Sequence, residues 1–250
     1  MSGAGTYGRL VHRLDTFDVE DLAACRVAIE RAGESGDRME DVAAGIVRHL
    51  HEAVVGPDGT GALALVRLYK THRFADLPAP LQEAAHDSTA ERVEPATRCL
   101  TLLGTAGVEP SWNDRRTSVD HRAIPLISEV VVERSPMIAS LIRQLGLDLS
   151  WVVSPDEGQN IARHHLDYGV FHVADAAGSL LVPAQVGFVE RYGIRSVVGC
   201  GGGLPSGDLF ALVAFSTVGI TAEVADLFRS LAYSAKAALV PHTYRVFADT

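Results

Sequence analysis

Ile194-Arg195-Ser196-Val197-Val198-Gly199-Cys200 and Asp208-Leu209-Phe210-Ala211-Leu212-Val213-Ala214-Phe215-Ser216 are two dense apolar runs. Between them lie Gly201-Gly202-Gly203 and the turn Pro205-Ser206-Gly207-Asp208. Strand-forming runs on either side of a Gly/Pro/Ser/Asp cluster predict an antiparallel hairpin. The glycine triplet lacks the G-x-x-x-x-G-K-[ST] spacing of a phosphate loop, so it reads as hairpin connection or bulge. A long amphipathic helix follows, capped by Thr221 and stopped by Pro241. Its apolar face carries Val224, Leu227, Phe228, Leu231, Ala235, Ala238 and Leu239.

Upstream of the hairpin, short strands are expected at Ala62–Tyr69, Cys99–Leu103 (closed by Gly104 and Gly107), Leu147–Val153 and Val170–Val173. Helices are expected at Phe17–Ala32 with Gly33 as its stop, and from an Asp37/Glu40 capping box to Gly56-Pro57. Further helices are expected at Pro136–Gln144 and Pro183–Tyr192, and a short helix or loop at Asp156–His165. Helices grouped around a hairpin-built sheet indicate an α+β fold rather than alternating βαβ units.

The 250 residues carry 22 Lys and Arg against 31 Asp and Glu, a formal charge of −9. That balance is against a general nucleic-acid binder, which needs a basic face, and against docking to an anionic membrane surface. No run is long and apolar enough to span a bilayer. The three cysteines, Cys25, Cys99 and Cys200, stand far apart. Their spacing gives neither a disulfide framework nor a zinc motif, and the reducing cytoplasm is the expected setting.

The stretch Tyr192–Gly199, the return Gly207–Phe215 and the final helix together resemble a GAF domain. Val170-Phe171-His172-Val173 matches the short strand before its ligand-side helix. Lys70-Thr71-His72, Leu102–Gly107, Asn113-Asp114-Arg115-Arg116, His121–Leu126, Pro136-Met137-Ile138, Val182-Pro183-Ala184-Gln185 and Leu204–Phe210 narrow the resemblance. They are similar to a GAF-like sensory module found upstream of PAS, histidine kinase and protein phosphatase domains in bacterial signalling proteins. The match covers 37–241, leaving 1–36 as an N-terminal helical extension and 242–250 as a short tail. The resemblance implies a GAF-like central antiparallel sheet with flanking terminal helices. Its pocket is expected between the sheet and the segments 113–125 and 166–192. It also implies a small-molecule ligand and output through a signalling partner such as a kinase or phosphatase.

The polar residues in these strings are the candidate ligand-binding set: His72, Arg115, Arg116, His121, His172, Gln185 and Arg195. The planar, bidentate guanidinium of Arg115 or Arg116 suits an anionic ligand; their alternative partners are Asp114, Asp120 and Glu129. His172 lies in a strand, on the face opposite Phe171 and Val173. A neutral imidazole there suits haem iron, so haem held by His172 or His121 is the alternative cofactor reading. A histidine that satisfies a backbone carbonyl is the structural one. His12, His49, His51 and His86 read as surface residues, and the adjacent His164-His165 diverge in direction. A third reading is a thiol-dependent reductase on the same fold, which needs an accessible thiolate of low pKa and a resolving thiol. No catalytic constellation is present otherwise. The Phe17–Ala32 helix is the candidate seam for a homodimer.

Overall fold

The computed structural model describes residues 11–154 and 168–248. The expected segment 156–165, with His164-His165, lies outside them. Strands β1 (His12–Arg13) and β2 (Val54–Val55) form a small parallel pair. The main strands are β3 (Leu63–Arg73), β4 (Arg98–Gly107), β5 (Ala123–Pro125), β6 (Val170–Val173), β7 (Ser196–Gly203) and β8 (Leu209–Ser216). They build an antiparallel sheet of six strands in the order β5-β4-β3-β8-β7-β6. The described helices are α1 (Val19–Ser35), α2 (Met39–Ala53), α3 (Ala79–Asp87), α4 (Glu129–Glu133), α5 (Pro136–Gln144), α6 (Leu149–Val153) and α7 (Ala222–Leu239). A π-type turn covers Gln185–Glu190. The architecture is α+β, a central antiparallel sheet with flanking helices, as expected.

The sheet separates two apolar cores. Alternate side chains of β3 divide between them: Val66 and Leu68 meet Ile46, Phe228 and Leu231 of the helix layer, whereas Leu65 and Tyr69 join Leu141, Ile142 and Val189 on the other face. A register shift at Leu68/Tyr69 leaves the alternation intact on either side. The helix α1 belongs to the same core as α2 and α7. Its Leu22, Cys25 and Ile29 are buried there. The apolar face expected as a dimer seam is therefore the face α1 turns to its own fold.

Several elements differ from expectation. The run Leu147–Val153 folds as helix α6, because Asp148 caps it by accepting a hydrogen bond from the Ser150 amide at 2.8 Å. Helix α1 starts at the Asp18 cap and runs through Gly33 to Ser35. The box opening α2 is displaced by one residue, with the Arg38 amide donating to Asp41 at 3.1 Å. The glycine triplet lies inside β7, paired with Leu209–Ala211, and is not a connection. The Pro183–Tyr192 helix is reduced to the π-type turn.

Strand β4 does not end at Gly104 but passes through it. A Cβ at Gly104 would stand 2.6–2.8 Å from backbone atoms of Ala43 and Ala44 in α2. The glycine is what lets α2 lie directly on the sheet. Gly104→Ala is expected to cost about 1–3 kcal/mol, as overpacking against unyielding backbone does. A urea denaturation midpoint equal to wild type would refute that account of the contact.

Candidate functional site

On the sheet face turned to the short helices and loops, β3 places Arg67 and Tyr69 two residues apart, with Thr105 of β4 directly across from Arg67. Arg67 is 8% exposed and Thr105 is 5% exposed. The guanidinium donates to the Tyr69 hydroxyl at 3.2 Å and to the Ser118 hydroxyl at 3.0 Å. Both acceptors are neutral. The Arg67 Nε and the Thr105 hydroxyl are buried with no hydrogen-bond partner. Among the described residues no carboxylate forms an ion pair with Arg67. A buried cation without a counter-ion is costly, and a guanidinium with a free donor is shaped for a carboxylate or phosphate.

Aromatic residues pack beside Arg67 on this face. Trp112 and Tyr192 pack with ring centres 4.8 Å apart, and Phe188 meets Phe215 edge-on at 5.0 Å. The Tyr192 hydroxyl donates to Glu109 at 2.8 Å. Ser118 comes from the segment 113–122, which roofs Arg67. His121 in that segment is exposed and holds φ of 61°, a left-handed conformation uncommon outside glycine. A separate cleft of about 520 Å³ opens between Ile127–Val130 and the α6 residues Trp151 and Val153.

A second polar cluster lies where β3 and β4 meet the β7–β8 turn. The Lys70 ammonium donates to Asp208 at 2.7 Å and to the Thr71 carbonyl at 3.0 Å. The Ser206 hydroxyl also donates to Asp208, at 2.7 Å, and Thr71 accepts from the Leu209 amide at 2.9 Å. Arg98 donates to the Gly207 carbonyl at 2.7 Å, lies 3.8 Å from Asp208 and sits over the Trp151 ring. Burial alone would raise the Asp208 pKa, but the Lys70 charge, its hydrogen bond and Ser206 hold it below the ordinary value. Burial lowers Lys70 in spite of Asp208.

Of the residues nominated from sequence, the fold brings His72, Arg115 and Arg116 together around Phe247 and Glu40. His72 sits beside Lys70, with neither ring nitrogen hydrogen-bonded, and packs on Phe247 at 5.2 Å. Burial, and then the Lys70 charge, push its pKa down to about 3. Arg115 and Arg116 have a carboxylate partner that sequence did not name, and the Arg116 backbone amide donates to Asp114 at 2.8 Å. Both reach Glu40, at the start of α2, and Arg115 also lies over Phe247 at 4.9 Å. The Glu40 carboxylate further accepts the Ala248 amide at 2.7 Å. His172 engages the Ile220 carbonyl through Nε2 at 2.9 Å, the structural alternative for that histidine. Gln185 pins the loop before it, donating to the Ala176 carbonyl at 3.0 Å and accepting from Gly178 at 2.8 Å. Arg195 is exposed, at the start of β7. Arg67 was not nominated. Its signal is a single cation inside the apolar run Ala62–Tyr69.

No family model and no curated protein matches the chain. Solved structures do. The free methionine-R-sulfoxide reductase of Neisseria meningitidis, in complex with its substrate, is 13% identical with a TM-score of 0.50, over 94% of this chain and 98% of that one. The phycoerythrobilin-bound GAF domain of a cyanobacterial phytochrome is 10% identical, TM-score 0.46, over 89% and 96%. The GAF domain of an Acinetobacter phosphoenolpyruvate-protein phosphotransferase is 10% identical, TM-score 0.43, over 89% and 94%. The chain shares the overall fold of the Neisseria structure. Identities at this level bear on fold alone. No helix among the described residues is long and apolar enough to cross a membrane.

Proposed function

We propose that this chain is a sensory module that binds a small anionic metabolite at Arg67 and passes the event to a signalling partner, such as a kinase or phosphatase. The observation that carries the reading is the buried guanidinium that, among the described residues, has no counter-ion and no partner for its Nε, facing a Thr105 hydroxyl that likewise has none. A ligand carboxylate or phosphate supplies the missing charge, and the aromatic residues of the same face supply an apolar wall. Its arrival competes with Ser118 for Arg67. The segment that carries Ser118 also carries Arg115 and Arg116, whose partner is Glu40 of α2. Releasing Ser118 therefore shifts the population of arrangements of 113–122 and, through Glu40, the start of α2 and the segment 245–248.

The thiol-reductase alternative draws on the Neisseria neighbour, but the cysteines here do not favour it. Cys25, Cys99 and Cys200 are buried, and burial pushes each thiol up to about 12. Thiol redox chemistry asks for the reverse. For haem, the Ile220 carbonyl already occupies His172 Nε2.

The test compares wild type with Arg67→Met in thermal-shift and calorimetric titrations against carboxylates, nucleotides and sugar phosphates. Wild type is expected to bind an anionic member of the set. Arg67→Met is expected to lose at least tenfold in affinity while its ligand-free melting temperature holds or rises, since an unpaired buried charge has gone. If Arg67→Met unfolds and no anion stabilises wild type, Arg67 is structural and the reading fails.

A further inference from the structure

Away from the sheet, at the junction of α1, α2 and β1, His12, Cys25 and His49 bring three ligand atoms within 4.8 Å of one another. Sequence placed His12 and His49 on the surface, but β1 pairs His12 with Val54 at the end of α2 and carries it inside. His12 is 2% exposed and Cys25 fully buried. The Asp21 carboxylate, one helical turn before Cys25 on α1, meets His12 Nδ1 at 2.7 Å. That contact sets the ring's orientation and makes Nδ1 the protonated nitrogen. His12 Nε2 then presents a lone pair, and it is buried with no hydrogen-bond partner among the described residues.

We propose that His12, Cys25 and His49 form a buried binding site for a thiophilic divalent cation, zinc being the fitting member of that class, with Asp21 as the positioning residue behind His12. Two imidazoles and a thiolate are borderline-to-soft donors, which excludes calcium and magnesium as natural occupants. A carboxylate on the far nitrogen of a metal-bound histidine is the usual second support of such a ring. Zn–N of about 2.0 Å and Zn–S of about 2.3 Å in a tetrahedral shell place ligand atoms roughly 3.3–3.6 Å apart. Closing from 4.8 Å asks for side-chain adjustments of about 1 Å, within the reach of rotamer changes. On binding, the Cys25 S–H bond breaks, a metal–sulfur bond forms and the proton leaves to solvent. The fourth position falls to water. The site lies on the seam between α1 and α2, so the metal clips these two helices together.

The experiment uses the full chain, stripped of metal, with Co²⁺ alone as the probe. One Co²⁺ per chain, a thiolate-to-metal charge-transfer band and displacement by Zn²⁺ are expected. Cys25→Ser is expected to abolish the band, Cys200→Ser to leave it, and Asp21→Asn to weaken binding about 10–100-fold. Should Cys25→Ser not fold, X-ray absorption at the zinc edge of the wild-type protein decides, with one sulfur at about 2.3 Å expected beside lighter donors. A shell without sulfur, substoichiometric binding, or a band that survives in Cys25→Ser overturns the proposal.

Discussion

Asp208→Ala is expected to cost the fold about 3–5 kcal/mol at pH 7, the loss typical of leaving a buried charge without its partner. The carboxylate is the counter-charge for Lys70, which is 4% exposed, and lies 3.8 Å from Arg98. Its removal leaves the ammonium with the Thr71 carbonyl and the weaker influence of the Asp76 charge. Denaturant unfolding followed by circular dichroism measures the loss. The double variant Lys70→Met, Asp208→Ala removes the stranded charge and is expected to recover most of it. A double variant no better than Asp208→Ala would mean that Asp208 acts by holding the turn through Ser206, and not by charge. A surface pair would predict less than about 1 kcal/mol, so the two outcomes are well separated.

The stability of the protein is expected to fall steeply with acid, beginning near pH 6.5. His72 stays neutral in the folded chain down to about pH 3, whereas in the unfolded chain it titrates near 6.5. Between those values the unfolded state binds one proton more, so stability rises with pH there, by about 1.4 kcal/mol per unit at most. The charges facing the ring are Lys70, which opposes protonation, and Asp208, which favours it weakly. Asp208 has a depressed pKa, so its contribution is present above its unfolded value and disappears as pH drops through the folded one. It adds a second loss at lower pH. His72→Phe is expected to remove the first phase and leave the second. Equal slopes for wild type and His72→Phe between pH 6.5 and 4.5 would show that another group governs the profile.

Local signals were legible in the sequence and non-local ones were not. The β7–β8 runs, the Thr221 cap on α7 and Pro136 at the head of α5 each declare an element within a few residues. Gly104 looked like a strand end because the reason for it, the backbone of α2, lies some sixty positions away in the chain. Leu147–Val153 is too short for periodicity to separate strand from helix; the Asp148 cap decides it. The same limit applies to the polar residues. Lys70 and Asp208 meet across 138 positions, and Arg115 and Glu40 across 75. Resemblance nominated His72, Arg115 and Arg116, but only the fold shows that Glu40 already holds both arginines. Arg67 stood unremarked inside Ala62–Tyr69, where a charge in a buried strand with no acidic neighbour was the available clue.

The two faces of the sheet also differ in what they emit. Both tryptophans of the chain, Trp112 and Trp151, pack against the core on the Arg67 side, and the core beneath α1, α2 and α7 contains none. Intrinsic fluorescence excited at the indole band therefore samples one layer of the molecule. Events at Arg67, at 113–122 or at the Arg98–Trp151 contact fall within its view, while a rearrangement confined to the helix layer is optically silent and calls for a label placed there.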